Sequence, residues 1–389
     1  MSLVAAWAAQ QAGLDKGFQL ANMSSFKSKT PSLPSQAVGA SVDRDQAVTS
    51  NVTDTISTLR WSPVASYLAA SSWDGKVHIY DVANDLTAKG VGVIDAGSPL
   101  FTCDWNQDGT IVAGAGAGKK VYLLSAATGQ ATSFIAHDAP IRSLRFVKVP
   151  NAPLDIIVTG SWDKTVRYWD VRNTGSPLAT LTCKERVYSM DTADGLLVIA
   201  TADRHIQLVD LKADPNNFKN STTNDPLKHQ TQVVTAFPDG KGYAVGSIEG
   251  RAGIKMFPET SSDKSHSFTF RCHRHEAPAP KGAAKDVTKT VDVWAVNDIN
   301  FHPVHTSIFA TAGSDGCIYF WDRLAHARFY TFPRREGAIS ASAFSRDGRV
   351  FAYAVGYDWA MGYAKNSPTY PLKLMLHPVA DEEVKPRKG

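Results

Sequence analysis

Apolar residues along most of this chain alternate with polar ones for five to seven positions and then stop at Gly, Asp, Asn or Pro, the pattern of short strands joined by tight turns. Four stretches share more than the alternation: SSWDGKVHIYDV (Ser71 to Val82), GSWDKTVRYWDV (Gly160 to Val171), TADRHIQLVDL (Thr201 to Leu211) and AGSDGCIYFWDR (Ala312 to Arg323). Each has a turn acid, an alternating strand, and a large hydrophobic residue followed by Asp. The acid and that hydrophobic residue are six positions apart in every copy: Asp74 and Tyr80, Asp163 and Trp169, Asp203 and Val209, Asp315 and Trp321. Six residues put the two at opposite ends of one strand, so the acids are expected to be structural.

Two weaker copies, GAGAGKKVYLLSA (Gly114 to Ala126) and GSIEGRAGIKMF (Gly246 to Phe257), place Gly118 and Glu249 where the others have the acid. A seventh unit keeps only strands: AISASAFS (Ala338 to Ser345), VFAYAVGYDWA (Val350 to Ala360) and PLKLMLHPV (Pro371 to Val379). A further strand precedes each copy, as in ISTLRWSP and IRSLRFVKV. Seven units of about four short strands with Trp-Asp dipeptides and a period of 40 to 46 residues predict an all-β fold, a seven-bladed WD40 β-propeller. The last unit is one strand short, and DQAVTS (Asp45 to Ser50) is expected to supply it by pairing with Leu372 to Val379, which closes the ring and removes exposed sheet edges.

The period stretches to 66 residues between Glu249 and Asp315, which marks an insertion. It holds one more strand, SFTFRCHR (Ser267 to Arg274), and a loop, HEAPAPKGAAKDVTKT. Residues 1–44, rich in Ser, Ala and Gln and carrying SKTPSLPSQ, read as a flexible arm before the propeller at 45–380, and 381–389 as a charged tail. The first apolar run has no basic residue before it, so a secretory signal is not expected, and no apolar run approaches the ~18 residues that cross a bilayer.

Hydrophobic residues at 43% and charged residues at 20% are ordinary globular values. A net charge of +4, from 41 Lys and Arg against 37 Asp and Glu, leaves nucleic-acid binding to a local patch, if to any. Cys103, Cys183, Cys272 and Cys317 are scattered, with no C-x-x-C pair, as in a reducing compartment.

Catalytic patterns are missing. There is no G-x-S-x-G elbow, and GAGAGKK sits where other units have a hairpin, without the helix a phosphate loop needs. Cys272, His273 and His275 lie close together, and FHPVH adds His302 and His305, but strand alternation points Cys272 and His273 to opposite faces, so no zinc site is expected from them. The chain is therefore read as a binding protein, not an enzyme, with no cofactor, membrane or small-molecule substrate.

Five segments go beyond the general repeat: FPDGKGYAVGSIEGRAGI (Phe237 to Ile254), FTFRCHR (Phe268 to Arg274), AVNDINFHPVHTSIFATAGSDG (Ala295 to Gly316), FAYAVGYDWAMG (Phe351 to Gly362) and EEVKPR (Glu382 to Arg387). With the Trp-Asp copies they resemble, from about Asp45 onward, the WD40 mRNA export factors of the nuclear pore, which bind the GLEBS motif of an FG nucleoporin. More distantly the chain is similar to the spindle-checkpoint propellers that bind GLEBS-like motifs of checkpoint kinases, which makes a checkpoint adaptor the alternative reading.

The resemblance implies a scaffold of the nucleus and nuclear pore complex, also cytoplasmic, that assists mRNA export. It places Arg251 of GSIEGR against acidic residues of the bound hairpin, a task for which a planar, permanently charged guanidinium is suited, with Glu249 of the same motif in the partner-binding set. Trp73 and Trp162, each just before a turn acid, have two readings: peptide anchors at the channel mouth, or packing between blades. The resemblance also implies contact with single-stranded RNA or messenger ribonucleoprotein through the matching positions Phe270, Trp321, His326 and Arg328, joined nearby by Arg271, Arg323, Arg334 and Arg335; stacking faces joined to cations suit it. His326 stands where the family has a fixed cation, and Trp321 and Phe270 can equally be core residues of their blades. His137, Ser161, Asp163 and Trp169 match the family's buried structural network.

Overall fold

A computed structural model describes residues 44–385 except 127, 151–155, 217–222, 225, 258–266 and 277–290. The expected arm at 1–44 except Arg44, the insertion loop at 277–290 and the last four residues lie outside the described part.

Seven four-stranded antiparallel sheets form a ring of blades. Their innermost strands touch in sequence order, and that of the seventh, Ile339–Phe344, returns to that of the first, Ile56–Trp61. The second strand of each blade is buried almost throughout, for example Ile156–Ser161 and Ile308–Gly313. Both its faces meet neighbouring sheets, which is why these strands read as small and apolar. The core is accordingly divided into seven clusters, one at each interface between blades; Leu68, Ala70, Ala352 and Leu374, for instance, join the first blade to the seventh. The blades approach closely at Gly160, where a Cβ would lie 2.7 Å from Cγ1 of Val187 in the next blade.

The ring closes as the sequence predicts. Gln46–Ala47 is the outer strand of the seventh blade and pairs with Leu376 and Met375. Asp45, just before it, is almost fully buried and accepts hydrogen bonds from the Tyr353 hydroxyl and the Arg335 guanidinium. His377 completes the latch: its Nδ1 lies 2.6 Å from Asp45 Oδ1 and its Nε2 lies 2.9 Å from Glu383 Oε2.

That last contact differs from the expected tail. Asp381–Val384 forms a short helix that buries Glu383 and Val384. Glu383 can be buried because His377 and Arg44 Nη2, 3.2 Å away, supply the opposite charge and its Oε2 accepts the Ala380 N–H. Val384 joins the core cluster of Phe320, Phe332 and Phe351.

The insertion forms a separate hairpin between the fifth and sixth blades. Arg274–Glu276 pairs with Val291–Val293, in the register Arg274 to Val293 and His275 to Asp292. No helix among the described residues is long and apolar enough to cross a membrane.

Candidate partner-binding face

Each innermost strand carries a register shift at its second residue, between Ile56 and Thr58 in the first blade and at the matching place in the other six. A bulge leaves one residue unpaired and re-aims its side chain. All seven bulged residues, among them Phe101, Arg142, Tyr188 and Asn297, line a cavity of about 270 Å³ at the mouth of the central channel. The channel wall below is ionic. Arg145 Nε lies 3.0 Å from Asp191 Oδ1, while Asp104, Asp191 and Asp298 each accept a backbone N–H from a neighbouring blade, those of Phe146, Ala236 and Ser342. Burial raises the Asp104 and Asp298 carboxyls above their usual range, against the lowering effect of Arg60.

Aromatic rings rim this mouth. Trp162 contacts Phe101 (6.1 Å between centroids), Phe101 contacts Trp73 (5.1 Å), and Trp73 contacts Trp359 (6.0 Å). Trp162 is 37% exposed and Trp359 40%, while Trp73 is half-buried. The packing between blades is therefore seen directly, and the rings of the arc also keep exposed surface. Trp359, from the segment after the second strand of blade seven, was not singled out from the sequence because its unit has no Trp-Asp copy.

At the same end of the propeller, Glu249 lies in the turn between the second and third strands of blade five, Gly242–Ser247 and Arg251–Met256, and Arg251 opens the third. Glu249 Oε2 is 3.8 Å from Arg251 Nε, 3.7 Å from Arg274 Nη1 and 3.6 Å from His229 Nε2. One carboxylate is thus shared among two guanidinium groups and an imidazole, none within hydrogen-bonding distance. Arg274 Nε is buried with no hydrogen-bond partner among the described residues. Arg251 also pairs directly with Arg271 across the strands, and like charges in opposed positions repel. Among the described residues the cations here outnumber the one carboxylate they share, an arrangement that suits an acidic ligand. Arg274 and His229 are additions to the sequence reading; Arg274 arrives on the inserted hairpin, whose placement no local pattern encodes.

The proposed RNA-binding set is divided by the structure. Phe270 and Trp321, half-buried, meet at 4.6 Å between centroids, and exposed His326 stacks on Phe268 at 3.9 Å, with exposed Arg328 nearby over Tyr319. Arg323 requires a correction. It is buried, lies over the Phe237 ring, donates from Nη2 to Asp239 Oδ2 (3.2 Å) and from Nε to the Thr306 carbonyl, and so is used within the fold. Arg335 is taken by Asp45, and Arg271 belongs with Arg251.

The buried network of blade three also needs a correction. His137 Nδ1 lies 2.8 Å from Asp163 Oδ2 and its Nε2 lies 2.8 Å from Thr159 Oγ1, to which Trp169 Nε1 donates at 3.0 Å. Thr159, not Ser161, links His137 to Trp169; Ser161 Oγ accepts the Asp163 N–H. Burial raises the Asp163 carboxyl, but hydrogen bonds from His137 and Thr165 outweigh it and hold the group well below the usual range. Blade six repeats the arrangement with His273, Asp315, Thr311 and Trp321. A Thr four residues before the acid is the signal common to both, and it gives Trp321 a structural role.

The WD domain, G-beta repeat family model matches residues 46–81, 129–170 and 288–322. Over 338 residues, 86% of this chain and 90% of the relative, the sequence is 44% identical to the mRNA export factor GLE2 of Chaetomium thermophilum. It is 42% identical to the Poly(A)+ RNA export protein of Schizosaccharomyces pombe over 365 residues, 94% and 99% of the two chains. Similarity to the mitotic checkpoint protein BUB3.1 of Arabidopsis thaliana is lower, 33% over 86% and 92%. With its propeller architecture and this degree of identity across almost the whole chain, the protein belongs to the WD40 family of mRNA export factors.

Proposed function

We propose that this propeller is a non-catalytic scaffold of mRNA export that docks on a GLEBS-bearing FG nucleoporin at the nuclear pore, with Arg251 and Arg274 gripping acidic residues of the GLEBS segment and Trp73, Trp162 and Trp359 packing against its apolar side chains. The observation that carries the reading is the excess of cations around Glu249 at the end of the propeller that also bears the aromatic arc. Relatives named for mRNA export at 42–44% identity support the process, and the weaker similarity to the checkpoint protein ranks a checkpoint adaptor second. Single-stranded RNA would be met, in this reading, by the separate surface of Phe270, Trp321, His326 and Arg328.

Calorimetry with a synthetic GLEBS peptide tests it. One-to-one binding with a Kd of ~1 μM or tighter, about −8 kcal/mol, and weaker binding of a checkpoint-kinase GLEBS-like peptide are expected; no detectable binding of the nucleoporin peptide refutes the reading, and the reverse preference favours the checkpoint adaptor.

A further inference from the structure

Blade six differs from blade three around its turn acid. In blade three the residue two after the turn acid is Thr165, whose hydroxyl donates to Asp163 Oδ1. In blade six that position is Cys317, and the inserted hairpin adds an imidazole that blade three has no counterpart for: His275 Nε2 lies 2.6 Å from Asp315 Oδ2. Asp315 is fully buried, and its other oxygen is occupied by His273 Nδ1 at 2.8 Å and the Cys317 N–H at 3.0 Å. The donor atoms of His275, Asp315 and Cys317 all lie within 4.8 Å of one another.

We propose that His275, Asp315 and Cys317 form a zinc site that fastens the inserted hairpin to blade six. Imidazole nitrogen, carboxylate oxygen and thiolate sulfur are the usual zinc donors, at about 2.0–2.3 Å from the metal, so tetrahedral ligands stand roughly 3.3–3.6 Å apart. His275 Nε2 and Asp315 Oδ2 stand 2.6 Å apart, inside that spacing, and the Cys317 sulfur lies within 4.8 Å of the other two donor atoms. His275 has to move by less than about 1 Å to admit the metal between itself and Asp315, and it is the donor with freedom to move, its side chain being 37% exposed. The same exposure leaves the fourth position to water. Zinc with one carboxylate and one thiolate is neutral overall, which makes the buried charge of Asp315 tolerable with Arg334 Nε already committed to the Asp315 carbonyl.

His273, hydrogen-bonded to Asp315 and in turn to Thr311, is the outer partner that fixes the carboxylate. On binding, the Cys317 thiol gives its proton to solvent, His275 passes to the tautomer protonated on Nδ1 so that Nε2 is free, and the sulfur–zinc, nitrogen–zinc and oxygen–zinc bonds replace bonds from the metal to water; nothing is oxidised or reduced. Without metal, burial holds the thiol up at about 11, so loading is expected to release a proton. Cys272, the thiol nearer to the histidines in sequence, is not a donor here: its Sγ lies 3.5 Å from the Gly250 carbonyl and does not join the group of His275 and Asp315, whereas Cys317 Sγ does and makes only a longer contact, 3.9 Å, to the Asp315 carbonyl.

The test uses the full-length chain stripped of metal and titrated with zinc against a chromophoric chelator, and with cobalt(II) to read the thiolate-to-metal absorption band. Expected are one equivalent of zinc and a cobalt–thiolate band. Both should be lost in Cys317→Thr, which restores the residue of blade three and so preserves the fold, and zinc affinity should fall in His275→Gln by more than the ~10–100-fold that loss of an outer partner costs. His305→Gln, in the turn between the first and second strands of blade six and so at the other end of the second strand Ile308–Gly313 from Asp315, should leave binding unchanged. Failure of the wild type to compete with the chelator overturns the proposal, as does zinc binding that survives Cys317→Thr and His275→Gln.

Discussion

Arg251 and Arg271 stand directly opposite each other on the third and fourth strands of blade five, two permanent cations in a position where opposite charges attract and like charges repel. The repulsion is relieved only in part by Glu249, 3.8 Å from Arg251. An acidic ligand would complete the arrangement.

Arg251→Glu is therefore expected to abolish binding of a GLEBS peptide while the propeller stays folded. Reversing one member of a desolvated charge pair costs about 2–5 kcal/mol, or roughly thirty- to several-thousand-fold in affinity. Arg251→Lys should fall between, since an ammonium lacks the planar fork. Calorimetry with a melting curve for each variant measures both halves, and binding by Arg251→Glu within about threefold of wild type would show that the peptide docks elsewhere.

Asp163→Ala should act on stability. Its carboxylate holds His137 and the N–H groups of Asp138 and Thr165, and losing it leaves buried donors unpaired at a cost of about 1–3 kcal/mol or more. Chemical denaturation should show the loss, with peptide affinity of the folded fraction unchanged. A variant that melts like wild type yet loses its partner would make Asp163 a binding residue.

Arg323 and Arg328 should separate in the same way. Arg323→Glu is expected to lower the melting temperature, because a buried cation leaves Asp239, Phe237 and the Thr306 carbonyl, each charged hydrogen bond contributing about 1.5–3 kcal/mol. Arg328→Glu, at an exposed position, should leave melting unchanged and weaken single-stranded RNA binding, with a shallower salt dependence. Equal RNA affinity in wild type and Arg328→Glu would remove this surface from consideration.

The latch makes stability depend on pH. Burial pushes His377 down, but hydrogen bonds and charge from Asp45 and Glu383 raise it above its ordinary 6.5. Burial pushes the two carboxyls up, and His377 lowers both on balance. The His377 contribution is complete below pH 6.5 and lost as pH rises through its raised value; those of Asp45 and Glu383 are present above their ordinary 3.8 and 4.5 and lost as pH falls through the lowered values. The difference in melting temperature between wild type and His377→Gln should thus be largest between pH 4.5 and 6.5 and shrink in alkali. A difference independent of pH would show that His377 stays neutral in the fold.

What the sequence revealed and what it hid follow from the range of the interactions. The acid-to-aromatic spacing lies within one strand, so it shows the blades directly, and the missing strand of the last unit could be inferred by counting. Glu383 reads as part of a solvated acidic run because its partners, His377 and Arg44, are brought together only when the ring closes; Arg44 is 339 residues away. Arg323 looks like a surface cation because Asp239, which buries it, belongs to the preceding blade. Arg274 and His275 could not be placed because both ride on a hairpin that interrupts the period. In the Trp relay, Thr159 was hidden beside the more regular Ser161.

The pairing of Gln46–Ala47 with Met375 and Leu376 also sets a schedule for biosynthesis. The closing strand leaves the ribosome before any blade, while its partner is among the last parts to be made, and at about 5–20 residues per second the two are separated by roughly tens of seconds. Throughout that interval the nascent chain carries finished blades with apolar outer faces at both ends of an unclosed arc. The arc needs shielding until translation ends, and a message cut short before the codon for Leu374 yields a protein that stays open, however well its first six blades have folded.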